Sequence, residues 1–164
     1  MSFQKQVKAN QALGNVGQIS KAHHSFLNVI PAIAADDFVK VGSFVQSSST
    51  ATNENEVIGA SGKQITGSIL GVVVRDSLKV TGDSTPTLEI KKGENCAILT
   101  EGSIFIEVSV EAKKGKYVML QTTDGALGFY DSSTQSGYTY TGFRVSKGND
   151  TATAGLIEIT TARA

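Results

Sequence analysis

The 164-residue chain has no tryptophan, one cysteine and two prolines, and its 15 basic residues balance its 15 acidic residues. The single cysteine, Cys96, cannot form an internal disulfide, so packing has to hold the fold and a reducing compartment is permitted. Because its net charge is zero, the chain lacks the excess of basic residues that nonspecific binding to nucleic acid or to an anionic membrane requires. We therefore expect neither nucleic acid nor a membrane to be the main partner.

Long apolar runs are also missing. Residues 1–5 lead into sequence rich in Gln and Asn, without the apolar stretch of a secretory signal, so we expect no export by that route. Apolar stretches such as residues 72–74 are far shorter than the roughly 20 residues that a membrane-spanning helix needs. The sequence therefore predicts no transmembrane span.

The first 35 residues differ in charge from the rest of the chain. They contain three lysines but no acidic residue, whereas all the carboxylates lie from Asp36 onward. Their apolar residues are spread thinly among Gln, Asn and Gly, so this segment cannot bury enough surface to fold alone. We predict that residues 1–35 are either disordered or an extended N-terminal arm that gains order on another surface, and that residues 36–164 form a β domain.

Short β-branched runs separated by glycine and polar residues begin at Phe38, a pattern typical of an all-β domain. In residues 103–111, one face of a strand carries Ile104, Ile106, Val108 and Val110, and the other carries the polar residues, which predicts one buried and one solvated face. About eight such runs occur, and no helical period is sustained. Antiparallel sheets of this kind close as a β-barrel or a β-sandwich, and the sequence favours neither.

No motif predicts catalysis or a bound cofactor. His23 and His24 would point to opposite faces of a strand, and no further ligands stand at metal-binding spacing. Val57 and Gln64 occupy the positions where a phosphate-binding loop needs Gly and Ser or Thr, and no Gly-x-Ser-x-Gly elbow occurs. We therefore expect a protein that is not an enzyme and that binds neither metal nor cofactor.

Aromatic side chains mark one predicted strand. Tyr138 and Tyr140 alternate and share a face, with Phe129 and Tyr130 nearby in sequence. Such a face is typical of a sugar-stacking platform or of an interface anchor, and core packing accounts for it equally well.

Several short blocks follow one another in an order that is also found in one known family: residues 1–7, 38–45, 71–75, 90–104, 113–118, 124–127, 141–145 and 155–159. In this layout the chain resembles, from end to end, the structural cement or head decoration proteins of tailed bacteriophages. The resemblance implies a mostly β protein that forms a homotrimer on the outer surface of the phage head, with the major capsid protein as its partner. It also implies synthesis in the cytoplasm of the host bacterium and a final location in the virion.

The predicted role is to stabilise the shell by bridging neighbouring capsid subunits, and the arm carries the residues that we predict bind them. Its isolated apolar side chains would act as pegs, and its first two lysines would pair with an acidic capsid surface. The predicted partner-binding residues are Phe3, Lys5, Val7, Lys8, Leu13, Val16 and Ile19.

Two alternatives belong to other functional classes. The first is a carbohydrate- or host-surface-binding β module of a phage particle, in which Tyr138 and Tyr140 stack on sugars and two serine-rich loops are exposed. The second is a trimeric β enzyme, which the missing catalytic spacing disfavours.

Overall fold

A computed structural model describes residues 14–20, 27–48, 53–75, 88–149 and 155–161. Within these ranges the chain has twelve strands and no helix, so none of it forms a helix that could cross a membrane. The predicted all-β fold is confirmed. The strands are β1 (Asn28–Ala34), β2 (Val39–Lys40), β3 (Phe44–Ser47), β4 (Glu56–Gly59), β5 (Ile69–Val73), β6 (Glu89–Ile90), β7 (Asn95–Glu101), β8 (Ser103–Val108), β9 (Tyr117–Gln121), β10 (Leu127–Tyr130), β11 (Tyr138–Lys147) and β12 (Gly155–Thr161).

Five strands form a closed barrel in the order β1-β4-β3-β5-β7, in which β7 returns to β1. Most neighbours are antiparallel, but β1 and β4 run parallel, with Ile33 opposite Glu56 and Ala34 opposite Val57. The short pair β2-β6 adds Val39 to the cluster of buried side chains inside the barrel. Closure leaves no open edge on this sheet.

The other five long strands form an antiparallel sheet in the order β10-β9-β11-β12-β8. Ile104, Ile106 and Val108 of β8 are buried as the alternation of residues 103–111 predicts. The prediction is wrong for Val110, which is exposed because β8 ends at Val108. The buried residues of this edge strand therefore end at Val108. The inner face of the sheet packs on the barrel wall.

Adjacent residues of the barrel strands serve two different cores. Phe44 of β3 packs between the barrel and the sheet, whereas Val45 points into the barrel. The same alternation occurs in β5 and β7, where Val72 and Leu99 face the sheet and Val73 and Ile98 face the barrel interior. Since successive side chains of a strand point to opposite sides, one wall supplies both cores.

One fully buried polar side chain ties a loop to the barrel. The Gln46 amide donates a hydrogen bond to the Gln64 carbonyl at 3.0 Å. Its side-chain oxygen accepts hydrogen bonds from the backbone N–H groups of Thr66 and Gly67 at 2.8 and 3.0 Å. Gln46 therefore replaces the backbone partners that this loop lacks.

The barrel contains residues from both sides of position 36. Its strand β1 lies within the segment 1–35 that the charge pattern separates from the rest, and Ala32 and Ala34 are buried in the barrel interior. Of the predicted arm, residues 1–13 and 21–26 lie outside the described residues.

Candidate partner-binding surfaces

Residues 14–20 lie along the outer edge of β8. The Gly17 N–H donates to the Phe105 carbonyl at 2.8 Å, and the Phe105 N–H donates to the Gln18 carbonyl at 3.0 Å. Ser20 N–H donates to the Ser103 carbonyl at 2.8 Å, and Ile19 forms an antiparallel bridge with Ile104. This segment therefore satisfies the backbone groups of an edge that would otherwise be open to pairing with another chain.

The same segment is also fixed to the barrel. The Arg75 N–H, just after β5, donates to the Gly17 carbonyl at 2.7 Å. Val16 packs against Gly42, and Val41 packs against Gly17, so closely that neither glycine has room for a side chain. Both glycines have positive φ angles, 73° and 76°, which glycine adopts without strain. Residues 14–20 thus join the sheet to the barrel at one point.

Two of the seven predicted partner-binding residues lie in the described part of the chain. Ile19 is partly buried against the core between barrel and sheet, and Val16 lies on Gly42. The other five, and both histidines, lie outside the described residues: Phe3, Lys5, Val7, Lys8, Leu13, His23 and His24. Val16 and Ile19 therefore both contact the chain's own β domain, Val16 at the barrel and Ile19 at the core between barrel and sheet.

The outer face of the five-stranded sheet, which points away from the barrel, carries all four tyrosines of the chain. In β9, Val118 and Leu120 face the core, so Tyr117 and Met119 face outward. Tyr130 lies opposite Tyr117 in register, and Tyr140 lies opposite Met119. Directly opposite residues share a face. The predicted common face of Tyr138 and Tyr140 is therefore this one, whereas Phe129 packs toward the core.

The tyrosines pack in two edge-to-face pairs. The rings of Tyr117 and Tyr140 are 5.3 Å apart at 72°, and those of Tyr130 and Tyr138 are 4.9 Å apart at 61°. The Arg144 guanidinium lies 4.0 Å from the centre of the Tyr117 ring and donates a hydrogen bond to the Tyr117 hydroxyl. These contacts fix the orientation of the aromatic side chains at the surface.

Two phenols of this face, those of Tyr130 and Tyr140, have raised pKa values. The hydrogen bond with Tyr138 raises the pKa of Tyr130, with burial and the charge of Tyr138 acting in the same direction. Burial raises the pKa of Tyr140, and this exceeds the opposing effect of Arg144. At neutral pH Tyr130 and Tyr140 therefore present neutral hydroxyl groups.

A buried carboxylate also belongs to the outer face. Glu158 stands between Ile157 and Ile159, which face the core, and opposite Phe105 of β8. Only about 6% of Glu158 is exposed, yet its Oε1 has no hydrogen-bond partner. The buried Nε of Arg144, on the neighbouring strand, also has none. Sequence reasoning missed Glu158, although its position between two isoleucines of a strand predicts an outward side chain.

The turn after β1 contains the acidic pair of the sequence. Asp36 accepts hydrogen bonds from the backbone of Phe38 at 3.1 Å and of Gly59 at 3.3 Å, and it forms an ion pair with Lys63 at 2.5 Å. The Lys63 ammonium also lies 4.3 Å above the exposed Phe38 ring. Asp36 is therefore occupied in holding the turn. Across the described ranges, no three His, Cys, Asp or Glu side chains are grouped to hold a metal.

Comparison with known proteins gives one family match. Residues 3–162 match the family described as "Structural cement protein (E217 gp24/Pam3 gp6)". No curated protein sequence matches the chain.

Solved structures that are similar to the chain include two from phages. One comes from "The capsid of Myoviridae Phage XM1", with 20% identity and a TM-score of 0.58 over 98% of this chain and 97% of that chain. The other is the head fiber gp8.5 N base of bacteriophage phi29, with 12% identity and a TM-score of 0.47 over 85% of this chain and 97% of that chain. The first of these similarities shows a shared fold.

Proposed function

This chain belongs to the structural cement protein family of phages, and from that membership we propose that it binds the outside of a tailed-phage head as a homotrimer and bridges neighbouring major capsid subunits. The family match extends over residues 3–162 and is the observation that carries the proposal. The protein is a structural component of a phage capsid. The proposed role requires no catalytic step, metal or cofactor.

The N-terminal arm is the proposed capsid-binding segment. Because residues 14–20 are bonded to both the sheet and the barrel, the thirteen residues before them start from a fixed point at the β8 edge. Phe3, Val7 and Leu13 are the proposed apolar pegs. Lys5 and Lys8 would pair with acidic groups of the capsid, since no acidic residue of the arm competes for them.

Val16 and Ile19 have a different proposed part in partner binding. Both contact the chain's own β domain, so they would hold the arm in place while the residues before them reach the capsid. An anchored arm loses less conformational freedom on binding than a fully flexible one, which leaves more of the contact energy for affinity.

Binding across the joints of the shell would stabilise it by mass action. A protein that binds only the assembled shell adds its binding free energy to the cost of opening that shell. In a closed threefold assembly, three arms held together would reach adjacent subunits at high effective concentration. A modest contact per arm is then sufficient for firm attachment.

Co-sedimentation with capsids stripped of this protein tests the proposal. The full chain should saturate the capsids at a fixed number of copies per capsid subunit, and a variant lacking residues 1–13 should not bind. Lys5→Ala/Lys8→Ala should weaken binding, whereas the matched control Lys113→Ala/Lys114→Ala, which changes two exposed lysines of the β domain, should not. Failure of the full chain to bind competent shells would overturn the proposed function.

The carbohydrate-binding alternative remains a separate prediction. Tyr138 and Tyr140 each pack against another tyrosine of the same face, so each ring already has an aromatic neighbour. A glycan array distinguishes the two functions, because capsid binding requires no recognition of sugars.

A further inference from the structure

The N-terminal segment makes a tight turn on the barrel side of the β8 edge. The backbone N–H of Gln18 donates to the Asn15 carbonyl at 3.0 Å, and Gly17 has a φ of 73°, so the chain reverses here in a β-turn. In this turn Val16 packs against Gly42 of the barrel. The turn therefore belongs to the side of the edge that faces the barrel.

Gly14, which precedes this turn, lies on the other side of the β8 edge. A Cβ atom on Gly14 would be 2.6 Å from Cδ2 of Phe105, so the Gly14 backbone lies directly against that ring. Phe105 alternates with Ile104 and Ile106, which face the core, and it therefore points outward from the sheet. Followed toward the N-terminus, the chain thus leaves the described residues at the outer face of the sheet.

Leu13 is joined to Gly14 by one peptide bond. Consecutive Cα atoms are about 3.8 Å apart, so the position of Gly14 also fixes where Leu13 begins. Leu13 is one of the proposed capsid-binding residues. A capsid subunit that contacts Leu13 is therefore brought next to Phe105 and the outer face.

The outer face has the composition of a surface that contacts another protein. It carries two tyrosine pairs and Arg144 stacked on Tyr117, and tyrosine and arginine are enriched at the centres of interfaces. The ring contacts already hold these side chains in place, so they lose little conformational freedom on binding. The exposed Glu107 and Lys147 lie near the ends of β8 and β11 and give the face a polar margin of both signs.

We propose that the outer face of the five-stranded sheet lies against the major capsid protein and that the barrel points away from the shell. The inference deepens the proposed function and rests on it, because the capsid contact of the arm gives the face its partner. Leu13 brings the capsid to the β8 side of the face, and the ordered tyrosines extend the contact across β11, β9 and β10. The barrel covers the opposite face of the sheet and is thereby turned outward.

Oxidation of tyrosine by hydroxyl radicals, measured by mass spectrometry, tests the contact. All four tyrosines of the chain lie on the outer face, so their oxidation reports on this face alone. On capsids saturated with the full chain, it should fall at least about threefold relative to the free chain, because interfaces exclude water from their centres. Phe38, which is exposed on a turn of the barrel, is the control and should be oxidised equally in both samples. Tyrosines that stay as reactive on the capsid as in the free chain would overturn the inference.

Two further samples distinguish other occupants of the face. If residues 1–13 of the same chain covered it, the free variant lacking them would show more tyrosine oxidation than the free full chain. If a second copy covered it, tyrosine oxidation in the free chain would fall as the protein concentration rises. Either result, without further protection on the capsid, would overturn the capsid contact.

Photo-cross-linking identifies the partner directly. With p-benzoylphenylalanine in place of Tyr138, light should join the chain to the major capsid protein, whereas the same group in place of Phe38 should give no such product. Loss of capsid binding by the folded Tyr138 variant alone would also support the contact. Products that join two copies of this chain, and none that contain the capsid protein, would overturn it. Circular dichroism verifies that both variants fold.

These outcomes separate the inference from the proposed function. Failure of the full chain to co-sediment with competent capsids would overturn the proposed function and the inference with it. Saturable co-sedimentation that leaves the tyrosines fully reactive would leave the proposed function standing and overturn the contact of the outer face alone.

Discussion

Val16 and Gly42 lie so close together that a Cβ atom on Gly42 would be 2.3 Å from Cγ1 of Val16. The relationship is reciprocal, because a Cβ atom on Gly17 would be 2.3 Å from Cγ1 of Val41. Two valines and two glycines thus interlock where the N-terminal segment meets the barrel. The free energy of this contact decides how firmly residues 14–20 are held.

Gly42→Ala should loosen this interlock. The added methyl group clashes with Val16 and the alanine is strained at a φ of 76°, so we expect a loss of roughly 2–4 kcal/mol in the free energy of unfolding. The hydrogen exchange of the Gly17 amide, which donates to Phe105, should accelerate in the same variant.

Gly62→Ala is the matched control for Gly42→Ala. Gly62 also has a φ of 76°, but a Cβ atom there would meet nothing within 4 Å. This variant should cost only the backbone strain, about 1–2 kcal/mol, and should leave the exchange of the Gly17 amide unchanged. Equal losses in the two variants would show that the contact with Val16 contributes nothing.

Gln46→Ala should destabilise the barrel and release the loop at residues 64–67. The substitution removes a buried amide and leaves the N–H groups of Thr66 and Gly67 without their acceptor. We expect a loss of about 2–4 kcal/mol in chemical denaturation, because unsatisfied buried donors add to the lost packing. Gln64→Ala should stay within about 0.5 kcal/mol, since its side chain is exposed and only its carbonyl is used.

The raised pKa values of Tyr130 and Tyr140 predict a loss of stability in alkali. Both groups hold their protons more firmly in the folded protein than in the unfolded chain. Their contribution is therefore fully present below pH about 10, the ordinary pKa of tyrosine, and is lost as the pH rises through the folded-state values. Unfolding experiments across this range should show the fall, and tyrosinate absorbance should show the late ionisation.

Tyr138→Phe isolates the main cause of the shift at Tyr130. It removes the hydroxyl that forms the hydrogen bond but keeps the ring that packs edge-to-face. The pKa of Tyr130 should move back toward its ordinary value, whereas that of Tyr140 should not change. An unchanged titration of Tyr130 would contradict the assignment of the hydrogen bond as the largest cause.

Local alternation predicted much of the fold and part of the surface. It placed Ile104, Ile106 and Val108 in the core, and it placed Tyr138 and Tyr140 on one face. Both predictions succeed because successive side chains of a strand point to opposite faces, so the pattern depends only on residues that are close in sequence. It gave about eight strands rather than twelve, because the runs were counted only from Phe38 onward, which leaves out β1, and because the single run over residues 38–45 covers both β2 and β3.

Contacts between distant parts of the chain could not be predicted in the same way. The parallel pairing of Ile33 with Glu56 depends on how the barrel closes, and the packing of Val16 on Gly42 depends on where the N-terminal segment meets it. The missing partner of Glu158 is likewise a property of the folded face. Alternation gives the side on which a residue lies, but not what covers that side.

Comparison of two N-terminal deletions separates binding from folding. Removal of residues 1–13 takes away five of the predicted partner-binding residues and leaves the bonds of residues 14–20 intact. We expect this variant to unfold at the wild-type denaturant midpoint and to fail in capsid binding.

Removal of residues 1–20 should have a second effect. It uncovers the backbone groups of Ser103 and Phe105 on β8 and withdraws Ile19 from the core. An exposed strand edge pairs readily with other chains, so we expect lower stability and concentration-dependent self-association that light scattering detects. If both deletions kept the same stability and stayed equally dispersed, residues 14–20 would have no role in protecting the β8 edge. Since β8 supplies three buried residues to the core between barrel and sheet, weakening its edge would also weaken that core.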